Sequence, residues 1–303
     1  MDGIFFIVGP TAVGKSELAA DVAHRLHAEI VSADAFQIYR GLDLLTAKPD
    51  EATLAKAPHH LLSAVTLSEP MNVEKFRAAA QATIREIHSR GKTAIVVGGS
   101  GLYLKALTHG LAPLPSVDVA LRDELNRASI DELFSRLQEL DPEGAEKIDR
   151  KNKRRLVRAV EICLVSGTPF SAQRTEWEKT LPANGVFVFR ERDELYQRID
   201  RRVEKMFAEG VIDEVRNVGY LGPTAEKTLG VSEIRSLLAG EISESECVAR
   251  IQQATRRYAK RQLTWFRRQN NLESLNLSLH GYQEAIELIA QTSKAVEVAR
   301  TDD

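Results

Sequence analysis

Cysteine and tryptophan are scarce in this 303-residue chain, two of each, and aromatic residues make up only 6% of it. Cys163 and Cys247 stand far apart with no Cys-x-x-Cys pair, which excludes a disulfide framework or a zinc ribbon and suits a reducing cytoplasm. Long hydrophobic runs are also lacking. The first apolar stretch, Ile4 to Val8, follows no basic segment and is too short for a membrane span or a signal peptide. Neither charge dominates, with 41 Lys and Arg against 43 Asp and Glu. Any surface for a polyanion must therefore come from local clustering. Repeats and low-complexity tracts are missing too. What remains is 43% hydrophobic and 28% charged, the composition of a globular protein, at a length that admits one large domain or a domain carrying an insertion.

Ile4-Phe5-Phe6-Ile7-Val8 reads as a strand buried on both faces of a parallel sheet. Leu18, Val22 and Leu26 form the inward stripe of the helix that follows. Residues 29–32 read as a second short strand, ending at Asp34. Val73, Phe76, Ala80, Ile84 and Ile87 recur at helical spacing after Asn72, and residues 93–97 form another buried strand ended by Gly98-Gly99. Strands alternating with helices imply parallel βαβ units and a three-layer α/β core. Beyond about Pro113 the alternation stops. Residues 115–185 carry helical patterns only, marked by Leu121 and Leu125, Leu133 and Leu137, then Leu156, Val160 and Leu164 ahead of Gly167. Val186 to Phe189 is a strand again. The expected organisation is a core in two parts, residues 1–114 and 186–303, around a helical insertion at residues 115–185. In the last third, Ser243-x-x-Glu246 has the form of a capping box. Behind it Ile251, Tyr258 and Trp265 mark a buried stripe. Trp177 and Trp265 read as core or rim aromatics. His59 and His60 point opposite ways if extended, which argues against a metal pair.

Gly9-Pro10-Thr11-Ala12-Val13-Gly14-Lys15-Ser16 fits the GxxxxGK[ST] phosphate loop, and it has the strand before and the helix after that the pattern requires. Glycines let the backbone wrap until several N–H groups converge on phosphate oxygens, and the helix N-terminus adds its dipole. Lys15 supplies a mobile charge, and the Ser16 hydroxyl is a ligand for Mg²⁺. The loop by itself says only that a diphosphate or triphosphate binds; kinases, GTPases and ATPases share it. Two basic runs add to the picture. Residues 150–158 hold Arg150, Lys151, Lys153, Arg154, Arg155 and Arg158, and residues 255–268 hold Arg256, Arg257, Lys260, Arg261, Arg267 and Arg268, neither run containing an acid. One such run is usually a solvated helix face; two beside a phosphate loop favour a nucleic-acid partner.

Seven segments, in this order, carry a resemblance. They are the phosphate loop, Ser32-Ala-Asp34-Ala-Phe-Gln-Ile-Tyr39, Thr46-Ala-Lys-Pro49, Pro58-His-His-Leu-Leu62, Val97-Gly-Gly-Ser-Gly-Leu-Tyr103, Arg155-Leu-Val-Arg-Ala-Val-Glu161 and Thr255-Arg-Arg-Tyr-Ala-Lys-Arg-Gln-Leu-Thr-Trp-Phe266. Together they resemble the tRNA dimethylallyltransferases over roughly residues 4 to 268. The resemblance implies a P-loop NTPase-like fold whose loop cradles the diphosphate of dimethylallyl diphosphate, through Gly9, Thr11, Ala12, Val13, Gly14, Lys15 and Ser16, with Mg²⁺. It implies a helical insertion and C-terminal helices that grip the anticodon stem-loop of tRNA, an adenosine 3′ of the anticodon as acceptor, and a cytoplasmic monomer.

An adenine amine is a poor nucleophile because its lone pair is delocalised into the ring. Attack on an allylic carbon needs a proton acceptor beside the amine and a sink for charge on the departing diphosphate. Asp34 lies just past the second strand, at the carboxyl edge where open α/β sheets place ligands, and matches the family's carboxylate. The alternatives are an Asp that caps a turn or holds Mg²⁺ through water. Arg202 lies with Arg198 and Arg201 on a helix striped by Leu195, Ile199, Val203 and Met206. It aligns with a family arginine that contacts the leaving diphosphate, a task suited to a planar fork; the alternative is a surface salt bridge to Asp200 or Glu204. Arg154, Arg155 and Arg158 are spaced to face one strand of phosphates. The resemblance places them against tRNA, with Arg122, Ser100, Lys227, Asp34, Ala35, Phe36 and Gln37.

Departures from the family pattern are Leu45 for a glycine, Ser63 for an aspartate, Lys151-Asn152 for Asn-Asp, Val231-Ser232 for an aromatic and a basic residue, and Lys227 for an arginine. Three rival functions stay open: a prenyltransferase acting on free adenine nucleotides, a P-loop kinase or NTPase, and a non-catalytic RNA-binding protein.

Overall fold

The computed structural model describes residues 3–111, 118–172, 184–269 and 272–301. Trp177 lies outside these. The chain divides into two compact units, Met1–Thr108 with Pro182–Asp303, and His109–Leu181.

The first unit is built on six parallel strands, β1 (Ile4–Val8), β2 (Glu29–Ala33), β3 (His59–His60), β4 (Ala94–Gly98), β5 (Gly185–Phe189) and β6 (Glu273–Asn276), in the order β3-β2-β4-β1-β5-β6. Residues 5–8 and 94–98 are buried throughout, which is why these strands read as unbroken apolar runs; residues 30–33 are buried too, with Ser32 the one polar residue among them. Helices α1 (Lys15–Leu26), α2 (Glu51–Leu54), α3 (Val73–Ser89) and α4 (Gly101–His109) follow the early strands. Crossovers running in opposite directions along the sheet put α1 and α3 on opposite faces. Leu18 and Val22 of α1, and Phe76, Ala80, Ile84 and Ile87 of α3, are buried as their spacing requires.

The second unit is helical among its described residues: α5 (Val119–Arg127), α6 (Ile130–Leu140), α7 (Pro142–Lys147) and α8 (Lys153–Ser166). It has its own core, built from Leu125, Leu133, Leu137, Leu156, Val160 and Cys163. The chain then returns to the first unit through α9 (Arg192–Ala208), α10 (Val211–Asn217), α11 (Val231–Leu238), α12 (Glu244–Phe266) and α13 (Tyr282–Thr301).

Two local expectations need correction. Ser243 Oγ accepts from Glu246 N at 3.2 Å, but the Glu246 carboxylate turns to Arg250 instead of back to Ser243, so only half of that capping box forms. A complete box opens α6, between Ser129 and Glu132. On α12, Ile251 is buried while Tyr258 and Trp265 stay half-buried. His60 Nε2 sits 2.7 Å from Glu29 Oε2, beside Arg90 and Lys92. Those partners, Arg90 foremost, hold the buried Glu29 carboxyl down to about 2.

The register decides where chemistry can gather. Val8 and Ala33 are both paired with Gly98, so β1, β4 and β2 end at one level. The residues that follow them leave the sheet side by side, at the carboxyl edge where the chain changes direction across the sheet.

Candidate active site

Gly14, at φ 101°, opens α1 in a conformation that a side chain would resist. The turn aims the first amides of α1 into a cleft of about 910 Å³, lined among others by Thr11, Lys15, Ser16, Asp34, Arg198 and Arg202. Lys15 Nζ donates to the Pro10 carbonyl at 2.6 Å. Burial pushes this ammonium down to about 8; Asp34 opposes that shift and Arg202 adds to it. Gln262 of α12, only 6% exposed, braces the loop from behind. Its Oε1 accepts from Thr11 N, and its Nε2 donates to the Gly99 carbonyl, both at 2.9 Å. A Cβ at Gly99 would come within 2.8 Å of the Gly9 carbonyl oxygen and 2.3 Å of the Gln262 amide nitrogen, so a side chain there would push on the loop and its brace together.

Asp34 caps a turn, one of the alternatives its position left open. Its Oδ1 accepts from Phe36 N at 2.9 Å and Gln37 N at 3.2 Å, which caps the turn after β2. No donor among the described residues meets Oδ2, so one carboxylate oxygen is free to face a ligand. Ser100 Oγ accepts from Ala35 N at 3.2 Å and lies near the Tyr258 hydroxyl. Burial, and then the neighbouring Asp34 charge, push the Tyr258 hydroxyl well above the usual phenol range. Gln37 Nε2 donates to the carbonyls of Thr46 and Ala47. A second, smaller cavity of about 50 Å³ adjoins Asp34 and Arg202, walled by Phe36, Leu45, Leu229 and Tyr258. Lys227, exposed in a short 3₁₀ turn, lies one residue before Thr228 on that wall.

Helix α9 supplies the cations. The buried stripe Leu195, Ile199, Val203 and Met206 turns Arg202 toward the phosphate loop. Arg202 Nη1 donates to Thr11 Oγ1 at 2.9 Å, and its Nε is buried without a partner. Burial lowers this guanidinium from 12.5 to about 10, against the pull of Asp34. The salt-bridge alternative is not realised, since Asp200 is held by Arg256. Arg198 Nε donates to Ala12 O at 2.9 Å.

Lys48, with a side chain 5% exposed, donates to Tyr39 O, Gly41 O, Asp43 Oδ1 and Ser63 Oγ. Lys48 thus ties Asp43 and Ser63 to the same loop. In the helical unit Arg154 and Arg155 are exposed and meet no carboxylate among the described residues. Arg122 and Arg158 instead converge on Glu161.

The sequence profile of the IPP transferase family matches residues 37–269. A tRNA dimethylallyltransferase of Akkermansia muciniphila is 44% identical over 273 residues, covering 90% of this chain and 93% of that protein. The chain belongs to the tRNA dimethylallyltransferase family. A second relative, tRNA dimethylallyltransferase 1 of Citrifermentans bemidjiense, is 42% identical, over 89% of this chain and 90% of its own. Among solved structures, the tRNA isopentenylpyrophosphate transferase of Bacillus halodurans superposes with a TM-score of 0.72 at 33% identity, covering 99% and 100% of the two chains. A eukaryotic dimethylallyltransferase acting on tRNA reaches 0.78 at 27% identity, over 90% of this chain and 73% of its own. The α/β fold with its parallel sheet and phosphate loop is the dimethylallyltransferase fold.

Against this family frame, the sequence patterns missed Gln262 and undervalued Tyr258. The two are four residues apart on α12 and so share its sheet-facing side. A glutamine on a buried helix face was the signal available.

Proposed function

We propose that the protein transfers the dimethylallyl group of dimethylallyl diphosphate to the exocyclic amine of the adenosine 3′ of the anticodon in tRNA. The observation that carries this reading is the free Oδ2 of Asp34 in the same cleft as the phosphate loop and Arg202.

The amides of residues 12–16, with Lys15 and Arg202, hold the donor's diphosphate. The unpartnered Nε of Arg202 is a donor waiting for an acceptor, and a diphosphate oxygen provides one. Mg²⁺ fits the donor set here. Among the described residues no three His, Cys, Asp or Glu side chains could hold a metal by themselves. Ser16 faces the cleft, and Mg²⁺ keeps several waters and takes the rest of its shell from a few protein oxygens and substrate phosphates. When bound, it would neutralise part of the diphosphate charge. The extruded adenine places its amine at Asp34 Oδ2. As the C–N bond forms, the proton passes to that carboxylate, and the electrons of the breaking C–O bond leave with the diphosphate. Phe36 and the wall of the smaller cavity suit the plane of an unstacked base.

The RNA surface in this reading comprises Ala35, Phe36, Gln37, Ser100 and Lys227 around the site, and Arg122, Arg154, Arg155 and Arg158 on the helical unit. No described helix is long and apolar enough to cross a membrane.

Asp34→Asn tests the role of the carboxylate. Asparagine still accepts from Phe36 N and Gln37 N, so the turn survives while the proton acceptor is lost. Turnover should fall on the order of 10²- to 10⁴-fold, with tRNA affinity nearly intact; a loss under about tenfold excludes the role. Competition by AMP that equals competition by tRNA would favour a transferase for free nucleotides instead.

A further inference from the structure

Glu161 is 0% exposed on α8, among the core residues of the helical unit. Its Oε2 accepts from Arg122, which reaches across from α5, and from Arg158 at 2.6 Å, one turn back on α8. Its Oε1 and the Arg122 Nε are buried without partners. One buried carboxylate thus faces two guanidiniums. Both side chains remain partly open to solvent, at 33% and 29% exposure. Two cations gathered on one oxygen repel each other, and the carboxylate between them offsets that repulsion.

We propose that Glu161 is a positioning residue: it holds Arg122 and Arg158 as a preformed pair that meets neighbouring phosphates of the tRNA backbone. This rests on the reading above that these arginines face tRNA. Glu161 itself touches no RNA. Its contribution is that two long side chains give up their freedom during folding and not at binding, with planar forks already set for phosphate oxygens. Counting charges gives the opposite sign, because removing a carboxylate from beside a polyanion site should tighten binding. The sign of the effect therefore separates the two ideas.

Glu161→Gln keeps the size and removes the charge; Glu161→Asp keeps the charge and withdraws it by one methylene. Both should raise the Kd for tRNA roughly tenfold, with the loss falling on KM for tRNA more than on kcat. A purely structural role would lower the melting temperature and leave the Kd of the folded variants where it was. Either variant, shown folded by circular dichroism and binding tRNA as tightly as the wild type or more so, overturns the proposal. If E161Q does not fold, E161D decides. The triple variant R122Q/R158Q/E161Q replaces the cluster with neutral amides and tests the underlying reading. Its salt dependence of tRNA binding should flatten by up to two phosphate contacts, about 0.9 each in log–log slope. An unaltered slope would show that the arginines do not meet phosphate and would remove that reading together with the proposal. A flattened slope with wild-type Kd in E161Q and E161D would remove the positioning role alone.

Discussion

Replacing Arg202 with lysine keeps a cation on α9 and removes its fork. The arginine spends Nη1 on Thr11 Oγ1 and keeps Nε buried without a protein partner; in the proposed complex Nε and the second terminal nitrogen meet the leaving diphosphate. A single ammonium at the same place must give up one of those bonds. A charge-assisted hydrogen bond contributes about 1.5–3 kcal/mol, so the chemical step should slow roughly 10- to 150-fold. A second effect comes from burial, which already lowers Arg202 from 12.5 to about 10. A lysine starts lower than an arginine, at about 10.4, and the same burial would lower it further. Lys15 lies at about 8. In the alkaline range the wild type loses that one required proton from the free enzyme, and the variant loses a second one at a lower pH than arginine would. The fall of log kcat/KM for the donor with rising pH should therefore be steeper in R202K than in the wild type, whose slope is about −1. Single-turnover transfer with labelled donor, followed between about pH 6.5 and 9.5, reads both effects, and fluorescence anisotropy reads tRNA affinity. A variant that binds tRNA poorly but keeps its rate, or whose pH profile superimposes on the wild type, would refute the assignment.

Two further outcomes are expected. A bound diphosphate favours charged Lys15, so donor binding takes up a proton above pH 8; donor Kd should rise about tenfold from pH 7 to 9, and tighter binding over that range would contradict the depressed lysine. Gln262→Leu leaves Thr11 N and the Gly99 carbonyl without partners, at about 1–3 kcal/mol each, and should lower Tm by roughly 5–15 °C while raising KM for the donor. A melting curve within about one degree of the wild type would remove Gln262 from the phosphate loop's support.

The parts that could be read from the sequence are those set by local patterns. The phosphate loop, Asp34 at a strand end, and the stripe that orients Arg202 each depend on neighbours within one or two turns. Strands β3 and β6 escaped because they are short and polar, His59-His60 and Glu273–Asn276. Their pairing is set by the sheet edges they reach. Gln262 bonds Thr11 across 251 positions of sequence, a contact that only the packing of α12 against the sheet creates. The meeting of Arg122 and Arg158 on Glu161 likewise depends on how α5 lies against α8. The loop after β2 was the hardest to foresee. Glu214 of α10 accepts from the backbone N–H groups of both Leu44 and Leu45, and Lys48 ties the same segment to Ser63. These contacts settle Leu45, where the family has glycine, beside Gly230.

One cavity in which a diphosphate leaves an allylic carbon while Asp34 receives a proton from adenine is the claim on which the rest depends. Incubation with dimethylallyl diphosphate, Mg²⁺ and unmodified tRNA, followed by nuclease digestion and mass spectrometry, tests it directly. One adenosine per tRNA, 3′ of the anticodon, should gain a single five-carbon prenyl unit; tRNA that returns with unaltered mass would contradict the account.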